Sequence, residues 1–168
     1  MALKRLTRLA LLTALCIVLR EAFSSLPNIQ PITAIFLVVT IAYGLWDGIF
    51  LSSLTMVLTG FLIGFGEVVA RQMLVFALLC IIWYFSYPFL KQLPFKLSAS
   101  LQIIVVACLS ILYGILLDIG SAYIYNVPVW TYILNGIYFN FLHAISTALF
   151  YPIILTIFRR LPHEKNID

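Results

Sequence analysis

A few side chains in this sequence have the type and spacing to do chemistry. Glu67 and Arg71 stand four residues apart, the separation of a helical ion pair or of a polar contact for a ligand. Gln72 follows directly, and Arg20, Glu21 and Asp118 are further polar or charged groups at the edges of apolar runs. Asn135, Tyr138, Phe139, Asn140 and His143 crowd another apolar stretch, with Trp130 just before them. Asn140 and His143 are three apart and share a helical face, while Asn135, Phe139 and His143 follow a neighbouring one. Amides and an imidazole in apolar surroundings need partners, either other helices or a ligand. Asn28 and Gln30 lie in Ser24-Ser25-Leu26-Pro27-Asn28-Ile29-Gln30-Pro31, which has the composition of a turn.

Reactive chemistry has little support beyond these groups. There is no HExxH, no GxSxG and no pair of acids inside an apolar run. Cys16, Cys80 and Cys108 lack CxxC or CxxH spacing, so neither a disulfide framework nor a zinc site is expected. The other histidine, His163, belongs to a polar tail. No enzyme, metal or cofactor is expected. With no GxxxxGK[ST] loop, any ATP-driven step would fall to another protein.

The elements that position these residues follow from composition. The chain has 168 residues, of which 64% are hydrophobic and 10% charged. A soluble domain is roughly 45–50% apolar and about 25% charged. The surplus has nowhere to go in water, so the chain is read as an all-α, polytopic membrane protein, one domain over residues 1–168. Six spans are expected, at about 3–23, 32–46, 49–64, 68–90, 97–122 and 131–158. Asp47, in the turn Trp46-Asp47-Gly48, is expected to cap the third helix.

Charge sets the orientation. Lys4, Arg5, Arg8, Lys91, Lys96, Arg159, Arg160 and Lys165 fall on one side of a six-span arrangement, and Arg20 and Arg71 on the other. The positive-inside rule makes the first side cytoplasmic, with both termini. The basic residues are split between chain ends and one short loop, so the net charge of +4 does not imply a nucleic-acid partner. Glu21, Glu67 and Asp118 gather at the outer end, which implies an outward-facing polar pocket above an apolar inner half. Ala10-xxx-Ala14 and Gly60-xxx-Gly64 are small-residue patterns that let helices approach closely.

With those residues in view, the chain resembles the substrate-binding S components of energy-coupling factor (ECF) vitamin transporters. The likeness rests on Ala10-xxx-Ala14, on Leu26-Pro27-Asn28-Ile29-Gln30-Pro31-Ile32-Thr33-Ala34 and on Gly64-Phe65-Gly66 followed by Gln72-Met73. Within the family it is most similar to the cobalamin-specific S components of lactobacilli. The resemblance implies a multi-pass subunit of the bacterial cytoplasmic membrane that binds a vitamin from outside. It implies docking through Ala10 and Ala14 on a transmembrane coupling protein driven by two ATPases, and toppling of the subunit in the bilayer. The loop Pro27–Pro31 would act as a lid. Asn28, Gln30, Arg71, Gln72, Asp118, Trp130, Asn135, Tyr138, Phe139 and His143 are the expected substrate-binding residues. Cobalamin is the first expected cargo; pantothenate, which Arg71 or Arg20 would suit as an anion, riboflavin and pyridoxine-type vitamins follow. A stand-alone facilitator is the alternative from another class.

Overall fold

In hydrocarbon a backbone must satisfy its own hydrogen bonds, which leaves an apolar chain of this kind the α-helix. The computed structural model describes residues 2–160, and these form six α-helices: α1 (Ala2–Ala22), α2 (Ile32–Tyr43), α3 (Leu45–Ile63), α4 (Glu67–Lys91), α5 (Phe95–Ile124) and α6 (Val129–Arg159). His163 and Lys165 lie outside the described residues. Prolines mark three starts, with Pro31, Pro94 and Pro128 standing immediately before α2, α5 and α6. Asn126 closes α5 in the left-handed region (φ 52°), where Val127 N–H returns to the Ala122 carbonyl at 3.0 Å.

The helices run alternately up and down. Arg5 and Arg8 at the start of α1 meet Asp47 at the start of α3, and Tyr43 at the end of α2 meets Phe158 at the end of α6. Ser98 and Gln102 near the start of α5 join Tyr151 on α6 at this same end. We call it the terminal end. Arg20, Asn28, Glu67 and Tyr125 mark the opposite, loop end.

α2 is the axis of the bundle. Every residue from Ile32 to Ala42 is buried, and the helix touches all five others. An all-round apolar sequence is what permits that position. Four helices, α3 to α6, are long and apolar enough to cross a membrane. α1 carries Lys4, Arg5, Arg8, Arg20 and Glu21, and α2 has only 12 residues, about 18 Å of helix.

Four expectations need correction. The turn between α2 and α3 lies at Gly44 alone, whose φ of 107° suits glycine, so Trp46-Asp47-Gly48 is helical. Gly48 instead serves close packing: a Cβ there would strike the Thr40 hydroxyl on α2. Asp47 makes no cap. Its buried carboxylate accepts from Arg5 Nε at 2.6 Å and from Arg8 Nη2 at 2.8 Å, because α1 crosses directly over it. Only half of the Gly60-xxx-Gly64 pattern packs helices: Gly60 lies against Val69 of α4 and Phe65 before it, whereas Gly64 (φ 133°) ends α3. Lastly, the terminal half is not apolar inside. Gln102, Ser98 and Tyr151 are buried there in a hydrogen-bonded chain.

Candidate binding cavity

A cavity of about 60 Å³ opens at the loop end, and all six helices or their connections line it. Arg20 comes from α1, Asn28 and Gln30 from the α1–α2 loop, Ile32 and Thr33 from α2, and Met56 from α3. α4 supplies Gln72 and Phe76, α5 Tyr113, and α6 His143.

The aromatic wall is continuous. Phe36 meets Phe76 edge to face at 5.1 Å between ring centroids, Phe76 lies 4.3 Å from Tyr113, and Tyr113 lies 5.1 Å from the His143 ring. These rings tie α2, α4, α5 and α6 together and give the cavity a stiff side. Polar groups then sit on fixed supports. His143 Nε2 shares a 2.8 Å hydrogen bond with the Thr33 hydroxyl, while its buried Nδ1 has no partner among the described residues. The Arg20 guanidinium reaches the Thr59 hydroxyl at 2.7 Å and Met56 Sδ at 3.0 Å. No carboxylate lines the cavity. It therefore presents one cation, three amides, a phenol, a hydroxyl and an imidazole nitrogen without a mate. Such a set is suited to a polar, acceptor-rich molecule.

The loop over the cavity is held to α6 by three hydrogen bonds. Gln30 N–H donates to Ser146 Oγ at 2.9 Å, and the Ser146 hydroxyl donates back to the Gln30 carbonyl at 3.0 Å. Asn28 sits in the left-handed region (φ 58°), which asparagine tolerates, and its amide donates to the Phe139 carbonyl at 3.2 Å.

Of the residues expected from sequence, Asn28, Gln30, Gln72 and His143 meet at this cavity. The others lie elsewhere. Arg71 pairs with Glu67 at 3.0 Å, which also accepts from the Tyr125 hydroxyl, and its side chain lies against Gly120. Asp118 accepts from Asn140 Nδ2 at 2.8 Å, in a close α5–α6 contact where Gly114 faces Asn140 and Gly136 faces Asp118. Trp130, Asn135, Tyr138 and Phe139 are exposed on the first half of α6, Phe139 contributing its carbonyl to the loop. Ala10 and Ala14 are exposed on α1 beside Leu11 and Val18.

Thr33, Met56, Phe76 and Tyr113 were not among the expected site residues, and Arg20 was named only for an anionic cargo. Arg20 carried a readable signal. Leu9, Thr13, Cys16 and Arg20 follow one helical stripe, and the first three are buried, so the fourth points inward too.

A six-helix apolar bundle, four of its helices long and apolar enough to cross a membrane, with a polar cavity under a loop, has the form of a multi-pass membrane protein. The family model of the ECF transporter substrate-specific component matches residues 4–155, and the chain belongs to that family. Its members are substrate-specific subunits of membrane transporters. No curated protein and no solved structure gives a significant match to the chain.

Proposed function

We propose that this chain is the vitamin-binding subunit of an ECF importer and that the cavity under the Asn28–Gln30 loop is its substrate site. The observation that carries this reading is the cavity itself: five of the six helices and the α1–α2 loop converge polar groups on one space, and one buried imidazole nitrogen of His143 lacks a partner among the described residues. The six helices cross the membrane with α2 sheltered inside the other five, and the basic terminal end faces the cytoplasm. Substrate enters from outside. Ala10 and Ala14 dock on a coupling protein that two ATPases drive, and the subunit delivers its load by toppling. Residues exposed on α1 are free to make that contact.

Cobalamin is the cargo that the sequence resemblance supports. The small cavity requires the loop and the loop-end halves of the helices to part widely before a corrin enters, and exposed Trp130, Tyr138 and Phe139 would then rim the opening. A second reading has its own observation. Arg20 lines a space whose walls hold no carboxylate, which suits a small anionic vitamin of the pantothenate type. Calorimetric or radiolabelled binding to the purified chain, across cobalamin, pantothenate, riboflavin, thiamine and pyridoxine, decides between them. Tight binding of one vitamin supports the proposal and names the cargo. Absence of binding by folded protein, or solute flux through vesicles holding this chain alone, refutes it in favour of a facilitator.

A further inference from the structure

We propose that the cleft between α5 and α6 at the terminal end binds the phosphate of an anionic phospholipid. The inference needs the chain to be in a membrane but not the vitamin reading, since the cleft is at the opposite end from the substrate cavity.

Three features converge there. First, a cavity of about 50 Å³ lies between the two helices, with Ser98 and Gln102 on one wall and Tyr151 and Arg159 on the other. Second, its polar side chains form a directed chain. The Tyr151 hydroxyl donates to Gln102 Oε1 at 2.9 Å, and Gln102 Nε2 donates to Ser98 Oγ at 2.9 Å. All three residues are more than nine-tenths buried. Ser98 thus has its oxygen engaged, and its hydroxyl proton has no acceptor among the described residues. Third, the site is electropositive. Arg159 takes part in none of the described ion pairs, and α5 begins at this cavity with Pro94 as an N-cap that offers no side-chain acceptor. The amides of its first turn therefore carry unsatisfied positive ends, and Lys96 belongs to that turn.

The shape identifies the source of the phosphate. A second, apolar groove runs along α6 outside the cavity, lined by Pro152, Ile153, Thr156 and Ile157 with Arg160 at its edge, and has a volume of about 460 Å³. Pro152 lines both spaces. A pocket that offers Arg159 and the Ser98 hydroxyl proton between largely apolar walls, next to an apolar trough on α6, matches a headgroup phosphate and its acyl chain. A free phosphate would use the pocket and leave the trough empty.

Native mass spectrometry of the purified full-length chain tests this, with titrations of phosphatidylglycerol, phosphatidylcholine of the same acyl chains, and inorganic phosphate as competitor. Phosphatidylglycerol is expected to bind about tenfold more tightly than phosphatidylcholine. The Arg159→Gln and Ser98→Ala variants should each cut that preference to about twofold or less, Arg159→Lys should keep most of it, and Lys91→Gln, a charge loss outside the cleft, should leave it intact. Helical circular dichroism identifies any variant that fails to fold, and the remaining variants then carry the test. Equal binding of the two lipids overturns the proposal, as does an equal effect of Arg159→Gln and Lys91→Gln. Full displacement by equimolar inorganic phosphate assigns the cleft to a free anion and overturns the lipid assignment.

Discussion

Replacing Arg20 by methionine separates the ligand's charge from the protein's stability. Methionine keeps most of the apolar stem and removes only the guanidinium. The local loss in the empty protein is small: Thr59, the hydroxyl that Arg20 reaches, donates its own proton to the Thr55 carbonyl at 2.7 Å and stays satisfied. A cation is also relieved of a partly buried position, so thermal stability should change by less than about 1 kcal/mol. Binding behaves differently. A hydrogen bond between a charged donor and a ligand oxygen contributes about 1.5–3 kcal/mol, which converts to roughly a 10- to 150-fold rise in Kd. Lysine at the same position keeps the charge but not the two-pronged geometry, and should fall between. The assay is calorimetric titration of the purified variants with whichever vitamin the wild-type chain binds, alongside thermal unfolding. An Arg20→Met protein that is folded and binds with unchanged affinity would show that the guanidinium does not touch the substrate.

Other perturbations probe the rest of the molecule. Ser146→Ala removes two of the three bonds that hold the loop to α6, so substrate should dissociate about 5- to 30-fold faster in a radioligand chase; an unchanged off-rate would deny the loop its lid role. Asp47→Asn leaves two arginines without a countercharge. Their partial exposure limits the cost to about 1–2 kcal/mol of stability, read by thermal unfolding, and substrate affinity at the far end should move by less than about twofold. Ala10→Trp and Ala14→Trp should abolish ATP-driven uptake in vesicles reconstituted with a coupling module while sparing binding to the isolated chain; loss of both would remove these residues from docking.

The apolar runs of the sequence translate directly into helices, since a backbone without water has few choices and prolines mark three of the starts. Helix rotation was less accessible. The loop residues Asn28 and Gln30, and Gln72 and His143 on their helices, converge on one cavity. Arg71 and Asp118, of similar chemistry, found protein partners in Glu67 and Asn140 instead. Which outcome a polar residue meets depends on what the neighbouring helix presents, and in a bundle that is apolar on nearly every face the hydrophobic pattern barely constrains the angle. Asp47 illustrates the same limit. Its position before a helical run resembles a cap, but the arginines that claim it are some forty residues earlier. Tyr113 and Phe76 look like ordinary core aromatics until the contacts around them are known.

The sheltered position of α2 has a consequence for how the protein is made. Its last residue, Tyr43, packs on Phe158, and its first turn hydrogen-bonds to His143 through Thr33. α2 therefore acquires its final surroundings only when α6, some 110 residues further along, has been synthesised. Until then an apolar segment of about 18 Å, shorter than the roughly 30 Å hydrocarbon layer, must wait at the translocon or in the bilayer without its later neighbours. Chains truncated before α6 should leave that segment unsheltered, a signal that membrane quality-control proteases are suited to read.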